Sequence, residues 1–384
     1  MRIIYYTQAF FSDCDFPLIR ELQSRGLDFR VYIPMQGYRK RSGIIDIKQL
    51  KRKIGIYKAS TYEDMAIYKD FVDLDRIFFI NLPDNRGGKR DRLIWLMVFL
   101  HMFLFRPNIF HFTWPLSGRE RWLYRLPVRK FMTVHDPISH SNVRDNQWEE
   151  EGRITAFNHS SRFVLLSNVL KDAFCQKYQI SKDKIDIARL GEYSILRFIK
   201  PSKLELRKPY ILFFGQIASH KGIEYLCEAM TMVHDICPEL NLVIAGNGKM
   251  YFDFSKYKEL DYIYLKNEFI SVPDLVGLLQ NALFSVCPYK DATQSGVVQT
   301  SFTCNTPMVV TNVGALPDAV RHGVTGLVVP SCDVESLRDA ILELALHPEK
   351  LLEMKKNIEK LWHPSMEWGP IADLYMQSYR KIIC

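Results

Sequence analysis

Short apolar runs of four or five residues alternate with amphipathic, helix-like stretches along nearly the whole of this 384-residue chain, and that alternation leaves few folds open. In the first half the strand candidates are Arg2 to Tyr6, Phe29 to Ile33, Arg76 to Ile80, Ile109 to Phe112, Phe131 to Val134 and Arg162 to Leu166. In the second half they are Tyr210 to Phe214, Asn241 to Ala245, Tyr262 to Leu265, Phe284 to Cys287, Pro307 to Thr311 and Gly326 to Val329. Strands joined through helices lie parallel, so each half is expected to be an α/β, doubly wound domain. The length suits about two such domains, each able to bury its own core. The polar segment Ile199 to Pro209, with a proline near each end, is expected to be the hinge. The expected division is 1–198, 199–365 and a last segment, 366–384, in which Trp368, Leu374 and Tyr379 give a helix its packing face.

Several function classes lack support. No G-x-G-x-x-G follows either first strand and no G-x-x-x-x-G-K-[ST] occurs, which disfavours dinucleotide and P-loop chemistry. The histidines are scattered without Cys/His spacing, so no metal is expected. Eight cysteines form no C-x-x-C pair and several sit in apolar runs, which fits reduced, cytoplasmic thiols. The first residues, MRIIYYT, read as a strand rather than a signal peptide. The longest apolar run, Leu93 to Phe105, is thirteen residues, short of the roughly 20 that span a bilayer. A net charge of +8 suits an anionic ligand or membrane, but no aromatic-basic platform points to nucleic acid.

The segment Pro288 to Pro317 carries the chemistry: strand end, polar loop, short helix, buried strand, Gly-Pro loop. Thr293 and Ser295 are candidate N-caps, and Gly296 admits close backbone approach. The N–H groups of Gly296 and Val297 would then meet an anion at the start of a helix. Gly215-Gln216-Ile217 with Lys221-Gly222 follows a buried strand in the same way, and a lysine there can stabilise charge on a departing group. The plainer alternatives are a tight turn with an ordinary cap, and a solvated lysine. His135 follows the strand Phe131 to Val134, at the carboxyl edge where ligands gather in open α/β sheets. His111, one strand earlier, reads as structural.

These stretches, with FFGQIASHKGIEYL at 213–226, LVIAGNG at 242–248 and DAVRHGVTGLVVP at 318–330, resemble the family-4 glycosyltransferases in order and spacing. The resemblance implies the GT-B fold, two Rossmann-like domains facing a central cleft, with the C-terminal helix crossing back to the N-terminal domain. It implies a retaining, metal-independent hexosyltransferase that needs no cofactor beyond its nucleotide-diphosphate sugar, here a UDP-sugar, and an N-terminal domain that binds a glycan or lipid-linked acceptor. Lys221 would hold the donor diphosphate, His135 would contact the donor near the reacting centre, and Phe269 with Ile270 would border the nucleobase. The chain departs from the family's pattern at Gln216, where an arginine is usual, and at Ala292 and Thr300, where paired glutamates are usual. Asp291, Thr293 and Gln294 flank the first of these places, and Thr300 itself or Gln299 could serve at the second, where the family holds the ribose, as substitute hydrogen-bonding groups. A GT-B-like binding or partner protein with weakened catalysis stays open beside the enzyme. Two basic clusters, Arg39 to Arg41 and Arg86 to Arg92, suggest a peripheral place on the inner face of an anionic membrane. The apolar run 93–105 reads as a buried helix with basic flanks.

Overall fold

The computed structural model describes residues 1–35, 47, 53–83, 87–138, 147–292 and 296–383. It divides into two compact units, Met1–Gly191 with Glu367–Cys384, and Glu192–Met366. All twelve expected strands form, and two short ones join them. In the first unit the strands are β1 (Arg2–Tyr6), β2 (Asp28–Met35), β3 (Gly55–Lys58), β4 (Ile77–Asn81), β5 (Ile109–Phe112), β6 (Arg129–Val134), β7 (Arg162–Leu165) and β8 (Ile185–Ile187). They lie in the order β3-β4-β2-β1-β5-β6-β7-β8, parallel except for the antiparallel edge strand β3. The second unit has β9 (Tyr210–Phe214), β10 (Asn241–Gly246), β11 (Ile263–Asn267), β12 (Ser285–Cys287), β13 (Met308–Thr311) and β14 (Gly326–Val329). Their order is β11-β10-β9-β12-β13-β14, all parallel.

Alternation within the strands explains why helices cover both faces. Ile211, Phe213, Leu242 and Ile244 belong to one buried cluster, while Tyr210, Leu212, Phe214, Val243 and Ala245 belong to another. A parallel strand buried on both sides is therefore apolar at every position, which is why these strands stood out.

The segment expected as a hinge is built into the second unit instead. Ser202 donates its N–H to Pro273 O at 3.0 Å, and Leu204 and Leu206 pack on the cluster around Tyr210. The chain changes unit at Gly191, where an added Cβ would stand 2.5 Å from the Trp368 ring. The helix Lys89–Leu104 departs from the buried helix expected: Asp91, Ile94, Trp95, Val98 and Met102 are buried, but Leu93, Leu96, Met97, Leu100, Phe103 and Leu104 are exposed.

The helix Trp368–Ile383 belongs to the first unit and buries Trp368, Ile371, Ala372, Tyr375, Ser378 and Tyr379, a stripe at helical spacing. Its tyrosines end in a buried polar chain. The Tyr379 hydroxyl lies 2.6 Å from His111 Nδ1, His111 Nε2 lies 2.9 Å from Thr133 Oγ1, and Thr133 Oγ1 lies 3.0 Å from the Tyr375 hydroxyl. His111 is thus structural, and burial keeps its pKa well below the usual value, so the ring is neutral. Replacing Tyr379 with Phe strands one imidazole nitrogen in an apolar surround. Tyr379→Phe should lower unfolding free energy by about 1–3 kcal/mol in a denaturant titration; an unchanged midpoint would show that this chain of bonds does not fasten the helix.

Candidate functional site

The second sheet winds outward from β9 through β10 to β11, then resumes on the other side of β9 with β12. The loops leaving β9 and β12 therefore stand where the winding order reverses, the edge at which open α/β sheets take ligands. Both sequence-selected loops begin there. After β9 come Gly215, the turn Ser219–Lys221 and Gly222, leading into the helix Ile223–His234; after β12 come Pro288 to Ala292 and the helix Gly296–Thr303.

Backbone contacts fasten the loops together. Lys290 N–H donates to His220 O at 2.9 Å, and Ile217 N–H to Asn247 O at 3.1 Å. Gly222, at φ +64°, has Pro288 O where a Cβ would sit, 2.0 Å away, so both conformation and space require glycine. Asn267 exchanges hydrogen bonds with the Gly248 backbone at 3.2 and 3.0 Å, which ties the loop after β11 to the loop after β10. A Cβ at Gly215 would lie 3.8 Å from Val297 Cγ2, so the first loop abuts the start of the helix.

Lys221 is the cation of this corner. Its Nζ sits 3.7 Å from the centroid of the Tyr289 ring, and burial pulls its pKa down. It forms no ion pair with a carboxylate among the described residues. Lys290, close by, is different: its Nζ is 2.7 Å from Glu224 Oε1, and Glu224 also accepts from the Tyr251 hydroxyl. Among the described residues one lysine is neutralised by a carboxylate and the other is held by an aromatic face, which leaves its charge for an anion. At the helix start, Gly296 is exposed and Val297 half-buried. The Thr300 hydroxyl donates to Gly296 O at 2.8 Å, while Gln299 Oε1 is buried with no hydrogen-bond partner among the described residues. Asp291 and Gln216 are exposed; Ala292 is half-buried, its carbonyl against Gly314. Phe269 and Ile270 are half-buried beyond β11. Thr293, Gln294 and Ser295 lie outside the described residues.

The first sheet has its own reversal, between β1 and β5. Thr7 and Thr113, just past those strands, share a 2.7 Å hydroxyl contact. Gln8 is 1% exposed, and both its amide atoms lack partners among the described residues. His135, past β6, stacks on Phe11 at 3.6 Å and 9°, with Nε2 also unpartnered among the described residues. Burial lowers its pKa to about 3, so the ring is neutral. Orphaned buried polar atoms cost stability unless a ligand or water completes them. The sequence reading selected His135 but missed Gln8, although the same rule about strand ends applies to it.

Cys14, Asp15 and His135 bring ligand-type atoms within 4.8 Å of one another. Cys14 donates to Phe11 O at 3.0 Å, and burial pushes the thiol pKa far up, so this sulfur rests as a protonated donor. Asp15 accepts from Tyr5 at 2.7 Å and Thr7 at 2.5 Å. Cys14 and Asp15 are therefore held by hydrogen bonds in a buried floor that His135 shares.

Residues 208–347 match the family described as glycosyl transferases group 1. The sequence is 25% identical to the alpha-D-kanosaminyltransferase of Streptomyces kanamyceticus over 282 residues, 68% of this chain and 69% of the relative. Matches to the curated relatives span 40 to 69% of their own lengths. Sucrose-phosphate synthase from Thermosynechococcus elongatus superposes with a TM-score of 0.67 at 16% identity, covering 100% of this chain and 99% of that one. Anabaena HepE in complex with UDP and glucose gives 0.66 at 12%, covering 99% and 100%. At such identities the structures speak for fold alone, and the fold is GT-B.

The buried floor sets opposing pH dependences. Burial raises the Asp15 carboxyl from 3.8 to about 7, so the native state keeps a proton that the unfolded chain releases; stability falls as pH rises through that window. Burial lowers His135 from 6.5 to about 3, so its part of the stability is lost as pH falls through that range. Asp15→Asn is neutral throughout and should gain on the wild type as pH rises from about 4 to about 7, by about 2–4 °C of melting midpoint for each kcal/mol. A midpoint difference independent of pH would clear Asp15 of that role.

Proposed function

We propose that this chain is a glycosyltransferase that takes a hexose from a UDP-sugar with retention of configuration and without a metal ion. The observation that carries the reading is the corner at the β9/β12 reversal, where Lys221, free of any described carboxylate, stands in the loop beside a helix N-terminus. As the bond between sugar and diphosphate breaks, negative charge grows on the leaving diphosphate. Lys221 and the positive end of the dipole of the helix Gly296–Thr303 stabilise that charge, the work a divalent cation does in other transferases. The acceptor hydroxyl oxygen then bonds to the anomeric carbon on the face the nucleotide leaves, and its proton passes to the departing diphosphate oxygen. The match of residues 208–347 to the group 1 glycosyl transferases supports assigning the donor to this unit. In the N-terminal unit, Gln8 and His135 are the proposed contacts to sugar hydroxyls, and the acceptor is a saccharide or a lipid-linked glycan.

The chain represents a subgroup without the paired glutamates. Gln299, whose carbonyl oxygen has no partner among the described residues, is better placed than Thr300 to accept from a ribose hydroxyl, because the Thr300 proton is spent on Gly296 O. A second reading, a nucleotide-sugar-binding protein with little turnover, is favoured by Ala292 and Gln216, which provide neither a carboxylate for the sugar nor a second cation for the diphosphate.

UDP-, GDP- and ADP-sugars should be compared for thermal stabilisation and hydrolysis; a UDP-sugar should stabilise and turn over. Stabilisation without turnover on any acceptor favours the second reading. Lys221→Ala should cut turnover roughly 10²- to 10³-fold with an unchanged melting midpoint; a near-normal rate removes Lys221 from the mechanism. Activity should persist in excess chelator, and loss restored by manganese or magnesium would overturn metal independence. Gln299→Leu should weaken UDP binding by about 1 kcal/mol and Thr300→Val by less; the reverse order would return the ribose contact to Thr300.

A further inference from the structure

On the helix Lys89–Leu104 every position exposed from 93 onward carries a large apolar side chain: Leu93, Leu96, Met97, Leu100, Phe103 and Leu104. Their exposures run from 45 to 76%. The helix has 16 residues, yet it holds six of the nineteen exposed large apolar side chains among the described residues, so this is a patch and not ordinary scatter. A helix on a protein surface normally turns charged and polar residues to water on that face.

The charges around the stripe say what covers it. Lys89, Arg90 and Arg92 are all exposed at the helix N-terminus, where the backbone dipole already favours anions. The only acid in that first turn, Asp91, is buried and ion-paired to Arg119 at 2.9 Å. Arg106 is exposed just past the other end, and Arg121 and Arg125 are exposed on the neighbouring turn Gly118–Arg125, which packs beside the helix. Three cations set against a helix dipole are a local conflict that an external anionic surface resolves.

We propose that this helix is a monotopic docking element that lays its apolar stripe into an anionic lipid bilayer, with the flanking cations on the headgroups. At about 24 Å the helix is shorter than the roughly 30 Å hydrocarbon layer, so it lies in the interface plane rather than crossing. No helix among the described residues is long and apolar enough to span. A second copy of the chain fits less well. The exposed positions of this helix carry no acidic residue, so pairing two copies would bring cations against cations.

The full chain should be sedimented with vesicles of phosphatidylcholine mixed with phosphatidylglycerol, and of phosphatidylcholine alone. Binding is expected to the mixed vesicles, weakening as salt rises. Leu96→Ser, Leu100→Ser and Leu104→Ser together should lower binding by at least about tenfold with the melting midpoint retained, since all three side chains are exposed. Arg90→Ser with Arg92→Ser should weaken binding about tenfold and flatten its salt dependence. Wild-type protein that ignores the mixed vesicles, or a triple variant that binds them as well as wild type, overturns the proposal. So does sedimentation velocity showing a dimer that the triple variant abolishes, without vesicle binding, because the stripe then meets a second copy. Vesicle binding is read without any sugar donor, so its failure leaves the transferase reading untouched.

Discussion

A parallel sheet with helices on both faces hides everything except the ends of its strands. That constraint governs both units. Each strand must be apolar on two sides, each connection must cross a face, and polar chemistry is confined to the loops at the carboxyl edge. The winding order reverses once in each sheet. In the second unit this happens between β9 and β12, and in the first between β1 and β5. Gln8, whose amide has no partner among the described residues, follows β1, and Lys221, with no carboxylate among them, follows β9.

Within the second unit, the corner is set by backbone rather than side-chain size. Gly222 against Pro288 O, Gly246 against Gly215 O and Gly314 against Ala292 O leave no room for a Cβ, at 2.0, 1.7 and 1.7 Å. Loops pressed this closely have little backbone freedom at these glycines, and Lys221 directly precedes one of them. Preorganisation of this kind is what electrostatic stabilisation of a leaving group requires.

The fold was legible because doubly buried strands are apolar at every position. The strands that escaped, Gly55–Lys58 and Ile185–Ile187, are edge strands of four and three residues, too short for a pattern. The unit boundary was misplaced because composition marks Ile199 to Pro209 as a linker, whereas its polar backbone and two leucines are pinned to the second unit. Lys221 was legible from its place after a strand. That Lys290, equally basic and nearby, is spent on Glu224 was not, since the pair joins residues 66 apart. Periodicity likewise failed for 93–105: a run apolar on every side gives no sign of which side is buried, and only packing against the sheet reveals the exposed stripe.

The docking of Trp368–Ile383 on the first unit makes that unit discontinuous, while residues 192–366 form the second without interruption. On a ribosome the chain emerges in order. The sheet of the first unit can assemble early, yet His111 and Thr133 wait for Tyr375 and Tyr379, which are made only after the whole second unit. The second unit can therefore finish folding first although it is translated later. Throughout that interval the nascent chain carries an unclosed first unit, open to proteases and chaperones until its last turns arrive.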